Sequence, residues 1–337
     1  AKSWGLSGAE RVGMLIQDMI CWADLDSDWL GFLKAISVDM IHLETRDAVH
    51  VEGHVLNINE GKVSAEPFEQ AREKVEAKGM KLHNVFYSCP PEIPLGLEGA
   101  DEKIDIWCRL LETLGQAGIP ALGWNYKPMG NFRTPPTGGR GGARYSAFDY
   151  DLFMDNRPEL FQPEVTEAQM WERMERFLKA VLPVAEKAGV TMALHPDDPP
   201  VPEALGGVAQ VCSSSDQLRR IFAAVQSDRH RLLFCQGCMT ESLGAGVYDF
   251  IAEMASQDKI QWVHFRNVRG QLPRFEEVFI DEGDIDMKRA MEVYRDNGFN
   301  GPFMMDHTPQ FPEGDSDRFG KAFANGYIRR LIQEVYG

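Results

Sequence analysis

Short apolar runs alternate with amphipathic stretches along the whole 337-residue chain, and this rhythm limits the fold more than any other feature. The apolar runs fall at 12–17, 38–44, 81–87, 121–126, 190–195, 232–236, 260–267 and 302–306. They are continuous rather than alternating, as expected of strands covered on both faces. Between them, 29–35, 67–78, 101–117, 167–188, 215–227, 247–255, 286–297 and 317–335 place apolar residues at three- and four-residue steps, the period of a helix with one buried face. Thr166, Ser213 to Ser215 with Asp216, and Asp284 supply start signals. Gly79, Gly118, Gly189 and Gly298 stand where helices should stop. Eight β-then-α units predict an α/β fold, a (β/α)8 TIM barrel, formed as a single domain over 1–337. An open doubly wound sheet is the rival, but no Gly-rich turn follows Gln17.

Two segments break the rhythm, at about 46–64 and 127–165. Both leave the C-terminal ends of predicted strands, where barrel active sites lie. The second holds Thr137-Gly-Gly-Arg-Gly-Gly-Ala-Arg-Tyr and is expected to be a lid or substrate loop. It lacks the spacing of a phosphate-binding P-loop.

Four strands end in a lone polar residue: His195, Cys235, His264 and Asp306. In a parallel barrel these four converge on one face. Two imidazoles, a thiolate and a carboxylate suit a divalent zinc, manganese, cobalt or nickel ion, and ligand type alone does not choose among them. Cys238 is the alternative thiolate, but Cys235 lies closer to the strand end. No second C-x-x-C exists to complete a zinc ribbon. In His195-Pro-Asp-Asp-Pro-Pro, Asp197 and Asp198 could orient His195. His307, beside Asp306, is a candidate general acid or base. Arg133 and Arg266 are candidate grips for a substrate carboxylate. Asn84, Asn125 and Tyr126 are placed to bond hydroxyls.

A net charge of −16 disfavours nucleic acid and anionic membranes as partners. No apolar run is long enough to span a bilayer. Six scattered Cys and an N-terminus without a signal-like apolar stretch fit a reduced, cytoplasmic protein. The charge leaves room for an anionic small molecule held by a few local Arg residues, and the chain is expected to form a homo-oligomer.

The strings Ala193-Leu-His-Pro-Asp-Asp-Pro-Pro, Phe234-Cys-Gln-Gly, Val263-His-Phe-Arg-Asn-Val, Gly283-Asp-Ile-Asp-Met and Met305-Asp-His, with a looser match at Trp124-Asn-Tyr-Lys-Pro-Met and Arg133-Thr, resemble the mannonate dehydratase family of xylose-isomerase-like barrels. The resemblance covers most of the chain from about residue 75. It implies dehydration of D-mannonate to 2-keto-3-deoxy-D-gluconate, a step of hexuronate catabolism, with a divalent metal that is typically Mn2+. It implies the ligands His195, Cys235, His264 and Asp306, an acid/base His307 and a pocket residue Arg266. Asn125, Arg133, Asp197 and Glu44 complete the expected substrate contacts. The chain departs from the family pattern twice. Leu43-Glu-Thr-Arg-Asp stands where a Leu-His-x-Ile-Pro pattern is usual. The tail, Glu313-Gly-Asp-Ser-Asp-Arg-Phe-Gly, lacks the family's tyrosine, and Tyr327 falls within the predicted last helix. These departures motivate an alternative activity on the same barrel, a metal-dependent sugar isomerase or epimerase.

Overall fold

The computed structural model describes residues 16–45, 49–51 and 54–337. Eight parallel strands form one sheet: β1 (Gln17–Cys21), β2 (Met40–Glu44), β3 (Lys81–Phe86), β4 (Ala121–Trp124), β5 (Thr191–Leu194), β6 (His230–Cys235), β7 (Ile260–His264) and β8 (Phe303–Met304). They pair in chain order, and a parallel bridge from Ile16 to Phe303 closes the ring. The fold is the expected xylose-isomerase-like (β/α)8 barrel. Seven strands overlap their expected ranges closely. The first runs later than 12–17, because Gln17 and Asp18 are polar yet buried strand residues. Residues 12–15 lie outside the described residues.

Helices Trp29–Ala35 and Glu167–Ala188 have the expected bounds. Thr166 caps the second, in a reciprocal pair with Gln169, and Gly189 ends it at φ 73°, a conformation that costs glycine nothing. Strands β4 and β5 are buried along their whole length, so both faces are covered. Their outward residues join the main core under the helices. A separate cluster of Ala121, Ala193, Leu233 and Trp262, with Phe86 against it, fills the barrel interior. Small residues face large ones there: a Cβ on Gly123 would lie 2.7 Å from Phe86 and 3.0 Å from Trp262.

The glycine-rich insertion differs from a simple loop. Thr134–Gly138 and Arg144–Asp149 pair antiparallel, and the second joins a hairpin of Val268–Gln271 and Arg274–Glu277 that follows β7. The resulting four-stranded sheet bridges segments that leave β4 and β7, and has a small core of Phe148, Phe153, Val201, Leu205 and Phe275. The segment after β2 holds two short paired strands, Val49–Val51 and His54–Leu56, and a turn of 3-10 helix at Ile58–Glu60.

Candidate metal centre

Parallel strands put every C-terminal end on one face, so the strand-end residues share a rim. One ligand atom each from His195, Cys235 and His264 lies within 4.8 Å of the others, and all three residues are buried. Asp306 joins them: its Oδ2 is 3.3 Å from His264 Nδ1. Asp306 sits two residues past β8 with φ 74°. That left-handed conformation is strained for a non-glycine residue, and it turns the chain so that Asp306 and His307 both face the rim.

The local chemistry prepares each group. His195 Nδ1 is 2.6 Å from the Pro196 carbonyl. A carbonyl only accepts, so Nδ1 carries the proton and Nε2 presents its lone pair. Asp197 is not the orienting group: its carboxylate accepts from the Cys212 backbone N–H at 2.8 Å. Burial pushes its pKa up to about 6. Asp197 therefore fastens a loop.

Cys235 ends β6 and caps the helix Gln236–Leu243, with its sulfur 3.5 Å from the Cys238 N–H. Burial alone would raise its pKa. The Cys238 thiol, the Arg266 guanidinium and the imidazoles of His195 and His264 outweigh it and hold the thiol well below its usual range. Burial would likewise raise Asp306, but His264 and His307 hold it well below the usual carboxylate range. Burial opposes charge on His264, yet Asp306 and Cys235 raise its pKa to about 9. The cluster therefore attracts positive charge. Neither ring nitrogen of buried His264 has a hydrogen-bond partner of good geometry, a state that buried polar atoms rarely keep. Two imidazole nitrogens, a thiolate and a carboxylate fit a divalent transition-metal ion.

A second buried group, Asp198, Cys238 and Glu241, lies alongside. Its cation is already present, because Arg266 Nη2 is 3.4 Å from Cys238, 3.4 Å from Glu241 and 3.7 Å from Asp198. The same nitrogen is 3.5 Å from Cys235, while Nη1 is 2.9 Å from Glu277 and 2.7 Å from His307 Nε2. Arg266 is 1% exposed. A Cβ on Gly237 would come 2.4 Å from its Nε, so glycine makes room for it. Arg266 thus braces Cys235 and His307 from below, in place of the open grip expected from sequence.

Arg133 is also committed. It donates to both Asp198 oxygens at 2.7 Å, to Glu277 at 2.5 Å, to Ser146 and to the Phe132 carbonyl. With its fork taken, it cannot act as the expected substrate-carboxylate clamp. Asp198, expected to orient His195, instead pairs with Arg133 and Arg266, while Glu241 and Glu277 escaped the sequence reading. Only Glu241 left a signal, as a lone acid in the apolar run Cys238-Met-Thr-Glu. His307 remains half exposed at the rim. Its Nε2 faces Arg266, and its Nδ1 is 3.1 Å from Glu277. Asn125 is buried at the end of β4 and donates to Ser88 at 3.1 Å. Glu44 ends β2, 3.2 Å from His42. Tyr327 lies within the helix Ser316–Val335, packed against the main core.

Comparison with known proteins shows the family of the chain. The family model described as D-mannonate dehydratase (UxuA) matches residues 153–333, just over half of the chain. The chain belongs to the D-mannonate dehydratase family. The matched span carries all four residues of the rim cluster. The mannonate dehydratase of Lactococcus lactis subsp. cremoris is 26% identical over 295 residues, 76% of this chain and 82% of that protein. Mannonate dehydratase 2 of Halalkalibacterium halodurans is 25% identical over 265 residues, 70% of this chain and 76% of that protein. The crystal structure of mannonate dehydratase from Streptococcus suis serotype 2 superposes with a TM-score of 0.79 at 22% identity, covering 95% of this chain and 93% of that one.

Proposed function

We propose that this barrel is a metal-dependent hydro-lyase that dehydrates a sugar acid, with D-mannonate as the first substrate and 2-keto-3-deoxy-D-gluconate and water as products. The observation that carries this reading is the cluster of His195, Cys235, His264 and Asp306 on one rim, within a chain of the D-mannonate dehydratase family. These four residues would hold the ion, with Mn2+ the first choice and Co2+, Ni2+ and Zn2+ the alternatives. When bound, a divalent ion supplies positive charge against the anion that forms as the proton at C2 leaves.

The chain's own residues do the rest. Dehydration removes a proton from C2 and hydroxide from C3, so one group must take a proton and another must give one. His307, half exposed at the rim, is the proposed acid/base: its Nε2 accepts from Arg266 and its Nδ1 faces Glu277, so for either step the ring must exchange one of these contacts for the substrate. Arg266 and Glu277 fix the plane of that ring. Asn125 and Glu44 offer hydrogen bonds to hydroxyls. The six cysteines form no disulfide, and no helix among the described residues is long and apolar enough to cross a membrane. We assign the enzyme to the cytoplasm, as a homo-oligomer in hexuronate catabolism.

The test is an assay of Mn2+-loaded protein against a panel of aldonates and ketoses. Release of a 2-keto-3-deoxy acid is expected. His307→Asn should lower turnover about 10²–10⁴-fold without loss of bound metal. Interconversion of ketoses with no keto-deoxy acid would replace the lyase with an isomerase or epimerase.

A further inference from the structure

Two thiols meet at the end of β6, and the metal cluster uses only one of them. Cys235 caps the helix Gln236–Leu243, and its sulfur turns back over the first helical turn to the backbone N–H of Cys238, 3.5 Å away. Both residues are fully buried, and their thiols hydrogen-bond to each other. Arg266 Nη2 sits 3.5 Å from the Cys235 sulfur and 3.4 Å from the Cys238 sulfur. Cα atoms three apart on a helical turn are about 5 Å apart. That lies within the roughly 4.4–6.8 Å that a disulfide spans.

A nearby cation and a helix N-terminus both favour the nucleophilic form of a cysteine, and both act on Cys235. Cys238 stands beside it as the second sulfur that a disulfide needs. Gly237, between them, lets the guanidinium press against the pair, since a Cβ there would come 2.4 Å from Arg266 Nε. Access follows from the cluster itself. An ion that binds with His195, Cys235 and His264 must reach Cys235 from the rim, where His307 is half exposed. A peroxide, hardly larger than water, can take the same route.

We propose that Cys235 and Cys238 are a reversible disulfide site, and that a small peroxide joins them and so takes the sulfur ligand away from the metal centre. This rests on the metal-centre reading above and adds a modification to it. The Cys235 thiolate attacks one peroxide oxygen; an S–O bond forms, the O–O bond breaks and hydroxide leaves. The Cys238 sulfur then attacks the sulfenic sulfur; the S–S bond forms, the S–O bond breaks, and the oxygen leaves as water with the Cys238 proton. Two thiols and one peroxide give one disulfide and two waters, so the sulfurs lose the two electrons that the peroxide gains. A disulfide sulfur carries no negative charge and is a poor ligand beside a thiolate. A bound ion in turn shields Cys235 from attack.

The experiment treats the full chain with hydrogen peroxide, both Mn2+-loaded and after chelation. Thiols are alkylated in denaturant and bridges are mapped by peptide mass spectrometry, with bound Mn2+ measured after re-incubation with the ion and desalting. The chelated protein should lose two of its six thiols to a Cys235–Cys238 bridge and retain Mn2+ in inverse proportion to the bridge. Dithiothreitol should restore both thiols and the ion. Mn2+ at about ten times its Kd leaves roughly a tenth of the sites free, so it should slow bridging about tenfold. In Cys238→Ser, peroxide should carry Cys235 to a sulfinic acid, and dithiothreitol should not restore the ion. Persistence of all six thiols, a bridge to a different cysteine, or a bridged protein that still holds Mn2+ overturns the proposal. If the reduced protein binds no Mn2+ but the bridge forms, the metal-centre reading fails, and with it the loss of a ligand, while the disulfide site stands.

Discussion

Replacing Arg266 with Met should destabilise the metal-free protein more than any other single change at the rim. The side chain is 1% exposed and faces Glu277, Asp198, Glu241, Cys235 and Cys238. Removing one partner of a buried ion pair costs about 3–5 kcal/mol, chiefly because the remaining charges stay buried without compensation. One kcal/mol moves Tm by roughly 2–4 °C in domains of 150–250 residues, and less in longer chains. At 337 residues the expected fall is on the order of 4–7 °C. Glu241→Gln is the internal control. Glu241 is fully buried, and burial, reinforced by Asp198, raises its pKa well above the carboxylate range. Burial works against charge on this group, so an amide of the same shape should cost less than the loss of Arg266, under about 1 kcal/mol. Thermal and urea unfolding in the presence of a chelator measure both, since bound metal would mask the difference. A loss below about 1 kcal/mol for Arg266→Met, or an equal loss for Glu241→Gln, would refute the claim that Arg266 neutralises this network.

Further outcomes follow from the same geometry. Cys238→Ser should keep its metal and Cys235→Ser should lose it, because only Cys235 lies with His195 and His264; metal analysis of both variants decides. Burial lowers His83 to about 4 and, with Lys259 nearby, His230 to about 3. Both folded values lie below the usual 6.5, so the unfolded chain takes up these protons first. Their contribution is complete above about pH 6.5 and is lost as pH falls toward 4 and 3. At pH 5 the loss is about 2 kcal/mol for each. Urea titrations at pH 7 and pH 5 should show it, and His230→Phe should flatten the dependence; a slope unchanged in that variant would contradict the assignment.

The barrel was legible because β2 to β8 are continuous apolar runs, and nothing else buries so many between helices. β1 was misplaced because its polar residues are satisfied from far along the chain: Gln17 meets His83, and Asp18 meets Lys321 and Asn325. The rim cluster was legible for a topological reason, since a parallel barrel brings every strand end together. The roles of Arg133 and Arg266 were not. Each looks like an unpaired cation in sequence, while the acids that occupy them are remote. Asp198 lies 65 residues from Arg133, and Glu277 lies 144 residues from it. Glu277 reaches the rim only because Arg274–Glu277 pairs with Arg144–Asp149, and that pairing leaves no local signal in the glycine-rich segment.

The central claim is that His195, Cys235, His264 and Asp306 hold one catalytic divalent ion. Elemental analysis of purified wild type beside Asp306→Ala, after identical incubation with Mn2+ and desalting, tests it most directly. Wild type should retain a stoichiometric ion and Asp306→Ala should retain little, while both stay folded. Equal metal content in the two proteins would contradict the assignment of the site.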